Sequence, residues 1–142
     1  MIDIYELSSA DGKTLRAVNE LIPQLSQSAS LMNEIQLRQL LESEATKLFF
    51  AQDKEVVLGM LSLVIFPIPT GTKAWVEDVV VSQTARGKGV GVALMNHALA
   101  VAKDAGAKSV DLTSRPSREV ANKLYQKLGF TARETNVYRL KL

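Results

Sequence analysis

The sequence predicts an α/β (α+β) fold: one domain over residues 1–142, built on a mixed sheet. Three observations predict it. The chain has 142 residues, the length of one domain with a core of its own. Its apolar spacing switches between period 2 and period 3.6 in the order β-α-α-β-β-β-α-β-α-β(β). The apolar run Val79-Val80-Val81 then leads through Arg86-Gly87-Lys88-Gly89-Val90-Gly91-Val92 into a helical pattern, so strand, glycine loop and helix follow one another directly.

Taken in order, Ile2 to Leu7 alternates apolar and polar residues and reads as a strand. Ser8 to Gly12 is turn chemistry. Leu15, Val18, Leu21, Ile22 and Leu25 fall at helical spacing, and Pro23 is expected to kink or end that helix. Ser26 to Ser30 is a polar loop. Asn33 is placed to cap a second helix carrying Ile35, Leu37, Leu40 and Leu41. Lys47–Ala51 and Val56–Phe66 read as a hairpin turning at Gln52–Glu55, with Gly59 marking a bulge or a close backbone approach. Pro67, Pro69 and Gly71 make Phe66 to Lys73 a loop, and Ala74 to Ser82 the next strand. The helix after the glycine loop runs to about Ala105, where Gly106 is the natural stop. Ser109–Thr113 reads as a strand. Ser117 is the expected cap of a last helix bearing Val120, Ala121, Leu124, Tyr125 and Leu128, and residues 130–133 and 136–140 read as a final strand pair.

Composition removes several function classes. The net charge is +2, there is no cysteine, and His97 is the single histidine. No disulfide framework, thiolate metal site or cysteine nucleophile is possible, and no multi-histidine metal site within one chain. So small a charge gives no footing for a nucleic-acid partner. The start, Met1-Ile2-Asp3-Ile4-Tyr5-Glu6, lacks the basic segment and apolar run of a signal peptide. No apolar stretch approaches the ~18–20 residues that span a bilayer. The expectation is a cytoplasmic protein without metal, membrane or nucleic-acid partner.

The loop is the part that carries chemistry. Glycines let the backbone turn sharply and approach a ligand closely. A helix start presents unpaired N–H groups and the positive end of its dipole. Together these hold phosphate, and Arg86 and Lys88 add positive charge. Spacing narrows the ligand. Gly87-Lys88 is followed by Gly89, not by Ser or Thr, so this is no Walker A loop. Gly87-x-Gly89-x-Gly91 lacks the spacing of a dinucleotide fingerprint.

Arg86-x-x-Gly89-x-Gly91, after a strand and opening a helix, resembles the acyl-CoA pyrophosphate loop of the GNAT superfamily of N-acetyltransferases, whose pattern is Gln/Arg-x-x-Gly-x-Gly/Ala. Downstream, Asn122-Lys123-Leu124-Tyr125-Gln126-Lys127-Leu128-Gly129-Phe130 is similar to that family's Leu-Tyr-x-x-x-Gly-Phe ending. With the element order, the likeness covers nearly the full chain, and is to a small, bacterial-type single-domain member.

The resemblance implies a mostly antiparallel sheet with a central V-shaped strand splay, flanked by about four helices. It implies acetyl-CoA as co-substrate and a primary amine, on a small metabolite or a peptide, as acceptor. Arg86, Gly87, Lys88, Gly89, Val90, Gly91 and Val92 would form the cofactor-binding loop, with backbone N–H groups of Gly87, Lys88, Gly89, Gly91 and Val92 holding the pyrophosphate. Val79, Val80 and Val81 would pair with pantetheine, one amide near Val79 polarising the thioester carbonyl. Asn122 would bond the pantetheine region. Tyr125 would protonate the leaving thiolate, and Glu77 would serve as the general base. Strand alternation sends Asp78 to the opposite face from Glu77. Arg115, Arg118 and Arg133 read either as surface charge or as contacts to a ribose phosphate or an anionic acceptor, and His97 as a packed or surface residue. Two other readings stay open: a CoA-binding sensor that has lost turnover, and a nucleotide-binding regulator. A homodimer is a family tendency.

Overall fold

The computed structural model describes residues 1–142. The chain forms two compact units, Met1–Leu112 and Thr113–Leu142.

The first unit holds a five-stranded sheet in the order β1-β2-β3-β4-β5. The strands are β1 (Asp3–Glu6), β2 (Thr46–Asp53), β3 (Val56–Ile68), β4 (Gly71–Val81) and β5 (Val110–Asp111). All neighbours are antiparallel except β4 and β5, which are parallel. Helices α1 (Gly12–Leu25) and α2 (Glu34–Glu42) lie between β1 and β2 in sequence, and α3 (Val90–Asp104) between β4 and β5. The mixed, mostly antiparallel sheet matches the predicted class.

Side-chain alternation divides the core between the two faces. Leu48 and Phe50 of β2, Met60 of β3 and Val80 of β4 pack with Leu7, Val18, Leu21 and Leu37, on the side of α1 and α2. On the opposite face, Phe49 meets His97 of α3 edge-on, ring centroids 4.9 Å apart. That contact makes His97 a packing residue. Local chemistry sets the helix ends. Asp11 accepts from the Thr14 N–H at 2.8 Å and caps α1, and this bond holds its carboxyl below the ordinary range. Asn33 caps α2 through a reciprocal box with Gln36, two free donors satisfied at once. At the end of α3, Gly106 takes φ +87°, and the N–H groups of Gly106 and Ala107 reach the Lys103 and Ala102 carbonyls, a Schellman stop.

Several boundaries differ from expectation. Pro23 neither ends nor precedes the end of α1 by a full turn; it sits inside the helix, which continues to Leu25. The first hairpin turns at Lys54 and Glu55 alone. The predicted Phe66–Lys73 loop is a tight hairpin instead, with Pro67 paired to Thr72 and Ile68 to Gly71. Proline is tolerated here because β2 accompanies β3 only as far as Val64, so β3 has an open edge beyond it where no N–H is needed. β5 is two residues long rather than five.

The second unit contains α4 (Glu119–Lys127). Ser117 does not cap it. The residue before the helix is Arg118, without a side-chain cap bond. The turn is instead tied by Asn122, whose Nδ2 donates to the Arg115 carbonyl at 2.9 Å. The expected strand pair over 130–133 and 136–140 is absent. Val137, Tyr138 and Leu140 are exposed, and alternation without a hydrogen-bonding partner makes no strand.

Candidate active site

In the first unit, the site elements are the end of β4, the glycine loop and the start of α3. β4 pairs with β5 only at Ala74↔Val110 and Trp75↔Asp111. From Val76 to Val81 it runs on with no ladder on that side, which is the predicted splay. Its backbone there offers donors and acceptors to an added strand.

On its other side, β4 carries a bulge. Met60 pairs with Val80 and Ser62 with Glu77, so Asp78 and Val79 together face Leu61. Asp78 takes φ +49°, a left-handed conformation rare outside glycine. The bulge resets the alternation. Val76 pairs with Leu63 and Val80 with Met60; these partners lie on opposite faces, so the even-numbered residues of β4 change face across it. Simple alternation between Glu77 and Asp78 therefore does not hold, and both are exposed. Glu77, opposite Ser62, is on the same face as Met60 and Val80. The Glu77 residue is open to solvent overall, yet its carboxyl is partly shielded from water. That shielding, and then the Asp78 charge, push its pKa above the ordinary carboxylate value.

After β4 come a short 3-10 turn (Gln83–Ala85) and Arg86 in an extended conformation. Gly87 and Gly89 both take φ +80°. Gly89 is the residue before α3, and no side chain caps the helix there. The first backbone bond of α3 runs from the Ala93 N–H to the Gly89 carbonyl at 3.1 Å. The N–H groups of Val90, Gly91 and Val92 thus precede the helical ladder. A Cβ built on Gly87 or Gly89 would meet nothing within 4 Å. These glycines answer a conformational need, and the space over the loop is open. Arg86 and Lys88 are exposed beside it.

Two contacts support this loop, and the first has no local signal in the sequence. The Gln24 Oε1 atom of α1 accepts the Gln83 N–H at 2.9 Å, across 59 residues. Gly59 of β3 lies against the site from beneath. A Cβ there would stand 2.6 Å from the Val80 carbonyl and 3.2 Å from Val90 Cγ1. Close backbone approach is what the sequence suggested for Gly59, and the neighbouring β2–β3 register shift supplies the bulge as well.

In the second unit, Tyr125 is buried in α4. Its place is fixed by the helix end. Gly129 takes φ +102°, and the N–H groups of Gly129 and Phe130 reach the Gln126 and Tyr125 carbonyls, a second Schellman stop. The Phe130 ring meets the Tyr125 ring edge-on at 6.0 Å. The Tyr-x-x-x-Gly-Phe pattern thus has a local physical meaning: glycine ends the helix, and phenylalanine folds back onto the tyrosine. Burial raises the Tyr125 phenol pKa, and the Arg118 charge opposes that rise. Asn122 is partly committed, since its Nδ2 holds the Arg115 carbonyl.

A splayed, mostly antiparallel sheet with an uncapped helix after a glycine turn defines an acyltransferase fold. The sequence matches the acetyltransferase (GNAT) family over residues 14–130, and the chain belongs to that family. No curated protein matches it significantly. Among solved structures, it is similar to an acetyltransferase of Trypanosoma brucei at 26% identity, covering 100% of both chains with a TM-score of 0.81. It is also similar to the ribosomal-protein-alanine N-acetyltransferase of Brucella melitensis biovar Abortus 2308, at 21% identity over 100% of this chain and 99% of that one, TM-score 0.81. A third likeness is to an aminoglycoside acetyltransferase from an uncultured soil metagenomic sample, at 17% identity over 99% and 95% of the two chains, TM-score 0.86. The last two share the fold; their identity is too low to carry a substrate across.

Proposed function

We propose that residues 1–142 act as one acetyltransferase domain, moving an acetyl group from acetyl-CoA to a primary amine by direct attack. The observation that carries this reading is the start of α3: no side chain caps it, two left-handed glycines precede it, and the unpaired edge of β4 leads into it. Such a helix start binds anions through backbone N–H groups and dipole, which suits a pyrophosphate. The open space over Gly87 and Gly89 fits the same group. Arg86 and Lys88 add charge at its rim, and Val79, Val80 and Val81 offer backbone groups to the pantetheine arm. Acetyl-CoA supplies the acyl group as an activated thioester.

Family likeness assigns the remaining roles. Tyr125 protonates the departing thiolate, for which a phenol kept neutral by burial is suited. Asn122 retains its Oδ1 for the cofactor. Glu77 removes a proton from the incoming ammonium. An amide near Val79, at the bulge, polarises the thioester carbonyl. The acceptor is a small metabolite or peptide amine; relatives named for ribosomal protein and for aminoglycosides show how far it varies on one fold. We also propose a cytoplasmic location, with a homodimer as the assembly to look for; no helix is long and apolar enough to cross a membrane.

A panel of amines incubated with acetyl-CoA, read by release of free thiol, tests the reaction; calorimetry with CoA tests the cofactor. No CoA binding would sink the reading. A second test concerns pH. A base must be deprotonated, and the Glu77 pKa is raised. The acid limb of kcat/KM is therefore expected above the ordinary carboxylate value. Glu77→Gln should remove that limb, leaving only the one set by the amine itself. An unchanged profile would exclude Glu77 as the base.

A further inference from the structure

One part of β4 has no role in the reaction as described above. Trp75 pairs with Asp111 and is the last residue of β4 with a partner in β5, so it stands at the vertex where the unpaired edge begins. Across the β3–β4 pair it faces Val64, while Glu77 faces Ser62 and Lys73 faces Phe66. Residues directly opposite one another share a face. Ser62 also pairs with Leu48 of β2, which packs on the side of α1 and α2. Trp75, Val64 and Phe66 therefore lie on that face, in line with Glu77.

The face is closed at one end and half open at the other. Leu48, Met60 and Val80 are buried with α1 and α2 residues. Ser62, Val64, Phe66 and Trp75 are half-buried, and Glu77 is exposed. In the same rows on the other side of the sheet, Leu63, Ala74 and Val76 are buried. An indole is large and mostly apolar, and the part of it left open gains when a bound apolar group covers it. The head of this strip is acidic. The ion pairs of the chain join Met1 to Asp53, Arg38 to Glu34 and Lys47 to Glu6, so Glu77 and Asp78 have no cationic partner. An ammonium is the complementary occupant. Glu77 and Trp75 are two residues apart on one face, about 7 Å along the strand, so an amine held at Glu77 has its carbon body over Trp75.

We propose that Trp75, with Val64 and Phe66, selects the acceptor: a primary amine joined by a short linker to an apolar ring, its ammonium at Glu77 and its ring on the indole. This rests on the acyl-transfer reading above, in which Glu77 meets the incoming amine. A hydrophilic amine would leave the strip wet and gain nothing from it, whereas a ring buries its own apolar surface and that of Trp75 together. Trp75 acts as a specificity-determining residue and takes no part in proton transfer.

Trp75 is the single tryptophan of the chain, so its fluorescence reports on the strip without turnover. Titration with phenethylamine is expected to shift the emission and saturate, while propylamine at the same concentrations leaves it unmoved. Glu77→Gln should weaken the phenethylamine titration several-fold. In thiol-release kinetics with acetyl-CoA, kcat/KM for phenethylamine should exceed that for propylamine on the order of tenfold or more. Trp75→Phe should keep this preference, and Trp75→Ala should bring the ratio close to one. Thiol release at equal kcat/KM for both amines, with the emission unmoved, overturns the proposal and leaves the reaction standing. A preference for spermidine over phenethylamine overturns it too, since the indole would then be meeting a cation. Saturable emission with no thiol released from any amine would support the ring-amine site and remove the acyl-transfer reading.

Discussion

Gly59→Ala is expected to lose about 2 kcal/mol of stability and to weaken CoA binding on the order of tenfold, about 1.4 kcal/mol. The added methyl would stand 2.6 Å from the Val80 carbonyl, 3.2 Å from Val90 Cγ1 and 3.3 Å from Leu94 Cδ1. The first contact is with backbone, which cannot turn aside as a flexible side chain can. Either β3 or β4 must move. Val80 belongs to the free edge of β4, and Val90 opens α3, so relief of the clash reaches the proposed cofactor site from two directions. Gly59 has no positive φ, so the cost is steric alone. Gly89→Ala is the natural comparison. It meets no atom but must adopt φ +80°, which costs an L-residue about 1–2 kcal/mol. Thermal melts and CoA calorimetry on both variants separate the two causes. Wild-type values for Gly59→Ala would disprove the close approach.

What the sequence could reveal depended on whether the physics was local. Asn33 with Gln36, Gly106 and the Gly87–Val92 loop are local devices, each decided by a few adjacent residues, and each forms where its chemistry predicts. The hairpin at Pro67 was hidden because proline's fitness for a strand depends on which neighbour lies alongside, and β2 stops at Val64. The bulge at Asp78 was hidden for a similar reason. Alternation gives side-chain faces only while the register is continuous, and one extra residue reverses it. Gln24 reaching Gln83 is a tertiary contact with no periodic mark. The strand pair predicted after Phe130 failed in the opposite sense: Val137, Tyr138 and Leu140 have strand propensity, but propensity without a paired edge does not make a ladder. The left-handed glycines of the loop were legible because φ above zero needs glycine whatever surrounds it.

Tyr125→Phe is expected to lower kcat on the order of a hundredfold while leaving KM for acetyl-CoA nearly unchanged. The substitution keeps the ring, and with it the edge-on contact to Phe130 and the glycine-ended helix that holds it. Only the hydroxyl is lost, so stability should change little. The size of the kinetic loss follows from the leaving group. An alkyl thiolate is expelled more easily when a proton reaches sulfur as the C–S bond breaks, and burial keeps the Tyr125 phenol protonated beyond its ordinary range. The loss should therefore depend on the thiol. With an acetyl thioester of a more acidic thiol, expulsion needs less help, and the Phe variant should recover much of the wild-type rate. A purely structural tyrosine predicts the same ratio of variant to wild type for every thioester. Measuring that ratio across a short series of acetyl donors distinguishes the two, and a flat series would remove Tyr125 from the acid role.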